Sequence, residues 1–176
     1  MRRAVVVQRY GAEINGGAEQ HARYIAEHLS RHAEVEVLTT CARDYVTWRN
    51  EYPPGASTVN GVLVRRFPVR TERHVRTFGL RSAAVFDRTH SPSDELAWLE
   101  AEGPTCPALI RRVSALQRDV DFFLFYSYRY YHSFFGVPRV ADRAVLVPTA
   151  EEDPALHLSV FADLFRCARG LVYLTP

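Results

Sequence analysis

The stretch that decides the fold is residues 4–19, Ala-Val-Val-Val-Gln-Arg-Tyr-Gly-Ala-Glu-Ile-Asn-Gly-Gly-Ala-Glu. Residues 4–7 are a short apolar run, which predicts a strand, and a glycine-bearing loop follows it. Apolar residues then recur at a helical spacing and predict an amphipathic helix that ends near Arg31; they are Ala18, Ala22, Ile25, Ala26 and Leu29. The order strand, loop, helix predicts the first unit of an open α/β sheet. Its loop is expected at the carboxyl edge, where such sheets bind ligands.

The loop does not carry the dinucleotide-binding fingerprint, because Glu13 stands where the second glycine would be needed. Gly16 and Gly17 stand instead at the start of the helix. Without Cβ atoms, their backbone N–H groups can approach an anion closely, and the helix dipole favours negative charge there. The alternative is a plain tight turn in which Gly16 is the N-cap and no ligand binds.

The rest of the chain continues the alternation of strands and helices. Residues 41–58 lack periodicity and predict an irregular excursion before a turn at Asn60-Gly61. We expect further strands at 34–39, 62–67, 121–126, 144–147 and 171–174. We expect further helices from Ser91 to Gly103, from Pro107 to Arg118, from the 127–132 cluster to Asp142, and from Asp153 to Gly170. The predicted fold is α/β and Rossmann-like, a mostly parallel twisted sheet with helices on both faces.

Bulk composition excludes several classes of protein. The 176 residues fit one domain, and 47% apolar with 24% charged residues is typical of a soluble globular chain. A net charge of +2 gives no electrostatic case for nucleic acid as a partner. Three scattered cysteines form no disulfide framework and no zinc site. The apolar run after Met1 is too short for a signal peptide, so we expect a cytoplasmic protein.

Three loops are expected to converge at the carboxyl edge of the sheet: residues 11–17, 127–132 and 149–153. The first two offer backbone donors, hydroxyls and aromatic rings, and the third offers acids. The tyrosines of the second loop either stack on a sugar or base or cap the core. The scattered histidines form no metal constellation, and a lysine-free chain has no P-loop lysine. We therefore expect no metal cofactor and neither a hydrolase nor a kinase.

Six arginines occur between Arg65 and Arg81. Such a run is usually a solvated face. The alternative is a patch for an anionic acceptor or lipid headgroup, which would give peripheral contact with the inner face of a membrane.

Five segments together resemble a known family: Asn15–Glu19 with His21 and its helix, Val35–Thr40, Asn60–Phe67, Val147–Thr149 and Ala168–Pro176. In order and spacing they are similar to the N-terminal domain of the retaining GT-B glycosyltransferases of the glycogen-synthase-like group, family 4. The resemblance covers essentially the whole chain. It implies one Rossmann-like acceptor-side domain over residues 1–176, the N-terminal half of a GT-B fold, belonging to a longer two-domain protein and inactive alone.

The resemblance also implies the chemistry. A sugar would pass from a nucleotide-sugar donor to a sugar or lipid-linked acceptor with retention and without a metal, and a C-terminal GT-B domain would hold most of the donor. Gly16 and Gly17 would lie against the donor diphosphate or the acceptor. Tyr126, Tyr128, His132 and Thr149 would line the acceptor side.

Glu151 departs from that family, whose members often carry a histidine close to the sugar at this place. A carboxylate beside a departing diphosphate is repelled unless it is neutralised. Glu151 is therefore a catalytic candidate that either binds acceptor hydroxyls or marks altered activity, and first-turn stabilisation of the next helix is the alternative. A stand-alone α/β module that binds a phosphate or nucleotide, without transferase activity, is the competing interpretation of the whole chain.

Overall fold

The computed structural model describes residues 1–174, and within them seven strands form one sheet. The strands are β1 (Arg2–Val6), β2 (Glu34–Thr40), β3 (Gly55–Val59), β4 (Val62–Phe67), β5 (Phe122–Tyr126), β6 (Ala144–Val147) and β7 (Gly170–Leu171). The helices are α1 (Gly17–Leu29), α2 (Val75–Asp87), α3 (Pro92–Glu102), α4 (Pro107–Ala115), α5 (Tyr131–Gly136) and α6 (Phe161–Cys167). Short 3₁₀ turns occupy Val137–Arg139, Ala141–Arg143 and Pro154–His157.

The strand order is β3-β4-β2-β1-β5-β6-β7, and every pair is parallel except β3 with β4. From β1 the chain adds strands outward on one side and then, after β4, returns to add β5 on the other side. The order therefore reverses between β1 and β5, which makes the gap beyond their carboxyl ends the topological switch point. The predicted α/β, mostly parallel fold is confirmed.

The core lies in two layers because successive strand residues point to opposite faces. On one face, α1 packs against a layer that includes Val5, Val37 and Val64. On the other, helices α3 to α6 cover a layer that includes Val6, Leu38 and Phe125. Buried on both faces, β5 and β6 are continuous apolar runs, as is typical of parallel strands. The central strand β2 also carries buried polar residues, Glu36, Thr39 and Thr40.

Two elements were not predicted. β3 lies inside the stretch expected to be irregular, and its residues Gly-Ala-Ser-Thr-Val are almost wholly exposed, so they show no apolar alternation. α2 lies within and beyond the arginine run. Val85 is its one buried residue, with Phe78 and Phe86 partly buried against the core, so its apolar stripe is short.

Three boundaries also differ from the prediction. The helix expected from the 127–132 cluster to Asp142 is limited to α5, and two 3₁₀ turns follow it. The helix expected from Asp153 is divided into a 3₁₀ turn, Pro154–His157, and α6. Asp153 does cap the turn, since its side chain accepts a hydrogen bond from the Ala155 N–H at 2.7 Å. The last strand covers Gly170–Leu171 rather than 171–174. The segment Ala168–Pro176, which carries part of the family resemblance, ends with two residues that lie outside the described part of the chain.

Candidate functional site

A pocket of about 350 Å³ opens at the switch point, beyond the carboxyl ends of β1, β5 and β6. Its walls come from the three loops expected to converge and from one neighbouring loop. The lining residues are Gln8 and Arg9, residues 16–19, Tyr45, residues 127–130, Pro148, Thr149, Glu151 and Asp153. The pocket therefore stands where the fold places ligands in open α/β sheets.

An ion pair between Arg9 and Glu19 forms one wall. The Arg9 Nη2 atom lies 2.6 Å from the Glu19 carboxylate, and both side chains are about nine-tenths buried. Arg9 also donates to the Arg43 carbonyl at 2.9 Å. Because the Glu19 carboxylate lies against Gly16, a Cβ at Gly16 would collide with it, whereas a Cβ at Gly17 would meet nothing within 4 Å. Only the first of the two glycines is required by its neighbours.

The N-terminus of α1 faces the pocket without a side-chain cap. Gly16 is the N-cap residue and offers no side chain, so the first-turn N–H groups have no partner from a capping residue. The Glu19 carboxylate in that turn supplies the negative charge that the helix dipole favours.

Gln8 lies at the base of the pocket, just after β1. Its side chain is only 2% exposed, and its Oε1 atom has no hydrogen-bond partner among residues 1–174. Its backbone carbonyl is held in place by the Thr40 hydroxyl, which donates to it at 2.7 Å. A buried amide oxygen without a partner is rare in folded proteins, because burial removes the water that would otherwise bond it.

Two residues at the ends of β5 and β6 have left-handed backbone conformations. Ser127 has φ 66° and Thr149 has φ 46°, and this region is unfavourable for residues with a Cβ, most of all for a β-branched one. Their hydroxyls are 2.8 Å apart. The sheet fixes both corners, because the Ser127 N–H donates to the Val147 carbonyl at 3.0 Å. Backbone strain of this kind concentrates at binding sites.

Arg129 forms the second charged group of the pocket. Its guanidinium lies 3.1 Å from Asp153 and 2.9 Å from Glu102, and its Cζ lies 5.5 Å from the centre of the Trp98 ring. Glu102 is buried and is also paired with Arg73 at 2.9 Å. Arg129 is therefore held from behind, so it has a fixed position at the wall.

Five of the seven predicted site residues line this pocket: Gly16, Gly17, Tyr128, Thr149 and Glu151. Tyr128 is 1% exposed, and its hydroxyl lies 3.4 Å from the Asp153 carboxylate, while burial raises the pKa of its phenol. Glu151 is exposed and makes no ion pair among the described residues.

Tyr126 and His132 do not line this pocket, and their assignment to the acceptor side stays a prediction. Tyr126 is fully buried against α1, where its hydroxyl lies 3.0 Å from His21 Nδ1. His132 is fully buried, and its Nε2 atom lies 2.7 Å from the Tyr126 carbonyl. Complete burial lowers the pKa of His132 to about 4, so its ring is neutral near pH 7. Both side chains belong to the core.

Sequence reasoning missed Gln8, Arg9, Glu19, Tyr45 and Arg129 as lining residues. A signal existed for the first two, because a polar pair follows directly after a fully apolar strand at the ligand-binding edge. Glu19 stands in the first turn of a helix, where an acid is ordinarily explained by the helix dipole. Nothing local marks Tyr45, which comes from the stretch without periodicity.

The six arginines of 65–81 do not form one surface. Arg65 pairs with Glu36 at 2.7 Å, and Arg73 pairs with Glu102. Arg66 is buried and donates to the Tyr10 carbonyl at 2.9 Å. The other three arginines are exposed: Arg70, Arg76 and Arg81. Half of the run is thus engaged in internal contacts rather than in a continuous basic face.

Within residues 1–174, no group of three or more histidine, cysteine or acidic side chains is placed to hold a metal ion. In the same residues, none of the helices combines the length and the apolarity that crossing a bilayer requires.

Comparison with known proteins identifies the fold. No family model matches the chain, and no curated protein matches it in sequence. Among solved structures, it is similar to "Trehalose-6-phosphate from E. coli bound with UDP-2-fluoro glucose", with a TM-score of 0.58 and 16% sequence identity. The match covers 99% of this chain and 40% of that one. At this identity the likeness shows a shared GT-B Rossmann-like fold, and it does not single out family 4.

Proposed function

We propose that this chain is the acceptor-binding domain of a glycosyltransferase that moves a sugar from a nucleotide-sugar donor. The observation that carries the proposal is the position of the pocket, at the switch point of a fold shared over nearly the whole chain with a structure that holds a UDP-sugar analogue. The chain spans 40% of that structure's chain. We therefore propose that a second domain binds most of the donor, as the family-4 resemblance implies, and that transfer proceeds with retention.

The residues of the pocket suit the acceptor side of such a reaction. Serine, threonine and tyrosine hydroxyls and three carboxylates line it, and these groups bond sugar hydroxyls. Glu151, exposed and without an ion pair among residues 1–174, is placed to accept from an acceptor hydroxyl. The first-turn N–H groups of α1 face the same space and can donate to an oxygen of either substrate. Orientation of the attacking hydroxyl is the contribution we assign to this domain.

The test uses the complete protein that contains this chain. It is incubated with UDP-, GDP- and ADP-hexoses and with candidate sugar acceptors, and nucleoside diphosphate release and product are measured. We expect release that depends on acceptor, with the α-configuration of the donor kept in the product. Glu151→Gln is expected to reduce turnover about a hundredfold if Glu151 acts on the acceptor hydroxyl.

Residues 1–176 alone serve as the control and are expected to give no turnover. Robust transfer by this chain alone would contradict the two-domain proposal. Absence of diphosphate release from the complete protein with every donor would contradict glycosyl transfer and favour a phosphate- or nucleotide-binding module.

A further inference from the structure

The positive charges of the pocket are already paired with carboxylates of the chain itself. Arg9 is bound to Glu19, with Nη2 to carboxylate at 2.6 Å. Arg129 lies between Glu102 and Asp153, at 2.9 and 3.1 Å. Among the lining residues, two guanidiniums stand against three carboxylates. The pocket therefore offers no free cation to an anionic ligand.

The helix N-terminus does not reverse this balance. The Glu19 carboxylate lies in the first turn of α1 and against Gly16, so the place that a phosphate would take is beside a fixed negative charge. Glu151 adds a second carboxylate, exposed and without an ion pair among residues 1–174. Carboxylates that line the pocket disfavour a phosphate or a diphosphate there, because like charges repel.

The orphaned carboxamide of Gln8 indicates which chemistry the pocket does favour. The side chain is 98% buried, lines the pocket and has no partner for Oε1 among the described residues. A carboxamide presents an acceptor and two donors side by side, and a hydroxyl group is both a donor and an acceptor. Because Oε1 is closed to solvent, a ligand hydroxyl would satisfy it with a small rotation of the carboxamide toward the pocket.

The other walls continue this pattern. The paired hydroxyls of Ser127 and Thr149, 2.8 Å apart, are held at the rim by strained backbone. Tyr45, which is 61% exposed, presents an aromatic surface at the same pocket. Neutral donors and acceptors, an aromatic surface and the Glu151 carboxylate, which has no ion pair among residues 1–174, together suit a polyhydroxylated ring.

We propose that the pocket takes an uncharged polyhydroxylated ligand, a sugar without a phosphate group, and that Gln8 bonds one of its hydroxyls. The proposal rests on the proposed function, because it assigns this ligand to the acceptor. Two ligands were considered for Gly16 and Gly17, the donor diphosphate and the acceptor, and under this proposal the two glycines contact the acceptor.

The test compares matched probes on the protein by following backbone amide resonances. Glucose, mannose, galactose and N-acetylglucosamine are each titrated against their 6-phosphates, and inorganic pyrophosphate is titrated separately. We expect at least one neutral sugar to shift the amides of Gly17, Ala18 and Ser127, and its 6-phosphate to bind about tenfold more weakly or not at all. Stronger binding of the phosphorylated sugars or of pyrophosphate at these amides would overturn the proposal. So would the absence of any shift with all four neutral sugars.

The variant Gln8→Met separates a binding role from a structural one. It removes the carboxamide but keeps an unbranched side chain of similar length, so we expect about a tenfold loss of sugar affinity. Removing a buried polar group without a partner is expected to raise the melting temperature by about 2–4 °C. A purely structural glutamine would give the opposite sign, a lower melting temperature. Unchanged sugar affinity in Gln8→Met would contradict the assignment.

Thr39→Val is the matched control. The Thr39 hydroxyl is also fully buried and without a hydrogen-bond partner among the described residues, but it does not line the pocket. We expect a similar rise in melting temperature and unchanged sugar affinity. Failure of glycosyl transfer itself would be seen separately, as absent nucleoside diphosphate release from the complete protein. Binding of pyrophosphate would overturn this inference and leave transfer intact.

Discussion

The sheet carries two clusters of charge, and they differ in how completely they are used. Around Glu36, three arginines converge on one carboxylate that is 2% exposed: Arg65 at 2.7 Å, Arg2 at 3.2 Å and Arg112 at 3.4 Å. Burial alone would raise the pKa of Glu36, but its arginines hold that pKa below the ordinary value. At the switch-point pocket, by contrast, Glu151 is exposed without an ion pair and Gln8 is buried without a partner among residues 1–174.

The comparison teaches that a cluster of charge does not by itself mark a ligand site. The Glu36 cluster joins β1, β2, β4 and α4, and both oxygens of its carboxylate are in use. The pocket instead combines an open volume, an unsatisfied amide and strained backbone at Ser127 and Thr149. Only the second combination leaves bonding capacity for another molecule.

The largest effect is expected from Glu36→Ala. Three guanidiniums would lose their shared carboxylate, so the free energy of unfolding is expected to fall by about 3 kcal/mol. This value is at the lower end of the range for breaking a buried ion pair, because the arginines are 30–34% exposed. Urea denaturation measures this change. Glu34→Gln is the control, since Glu34 is exposed in the same strand, and it is expected to change stability by less than about 0.5 kcal/mol. If the Glu36→Ala variant were still folded under the assay conditions but had lost sugar binding, the two clusters would not be independent.

A smaller effect is expected from pH, through His132 beneath the pocket. Its pKa is about 4 in the folded protein and about 6.5 when unfolded. The unfolded chain therefore takes up the proton first, so the contribution of this ring to stability is complete above about pH 6.5 and is lost as pH falls toward 4. Between about pH 6 and 4.5 the free energy of unfolding should fall by about 2 kcal/mol through this group.

His132→Gln keeps a hydrogen-bond donor for the Tyr126 carbonyl but does not titrate, so it should flatten the stability profile over that interval. His157→Gln changes an exposed histidine and should leave the profile as it is. An unaltered profile in His132→Gln would mean that His132 is not the buried, neutral group described here, and would return it to consideration as a pocket residue.

The smallest effect separates the two glycines of the pocket. Gly16→Ala places a methyl group on the Glu19 carboxylate and should lower the free energy of unfolding by about 1–2 kcal/mol. Gly17→Ala meets no atom within 4 Å and should be neutral or stabilising by up to about 1 kcal/mol, because alanine favours the helix. Thermal unfolding compares the pair. Equal destabilisation by both variants would contradict the described position of Glu19.

Much of the fold follows from local pattern, because buried parallel strands and capped helices leave clear signals. The central strands β1, β5 and β6 contain short apolar runs. Ser91 caps α3 with a capping box that the sequence already shows. β3 leaves no such signal, because it is almost wholly exposed, and α2 leaves a weak one, because Val85 is its one buried residue. Their structure depends on a neighbour, β4 for the one and α3 for the other.

The position of the site could be predicted from the sequence, but only some of the residues that line it could. Parallel strands bring their carboxyl ends to one edge, so the convergence of three loops followed from the strand order alone. Which side chains face the pocket depends on the direction in which each one points. Tyr126 shares a core layer with Val5 and Val7, on the α1 side of the sheet. Pairings over long sequence distances, such as Arg129 with Glu102, arise only in the folded chain.

β3 is the strand at one margin of the sheet, and it runs antiparallel to its neighbour with small, polar and exposed residues. An uncovered margin offers unpaired N–H and C=O groups to any extended segment of another molecule. Five residues, one of them a glycine at the start of the strand, offer little length and little apolar surface for such growth. β3, which shows no apolar pattern in sequence, is thus a poor template for pairing with another chain, and lengthening it with valines is expected to make it a better one.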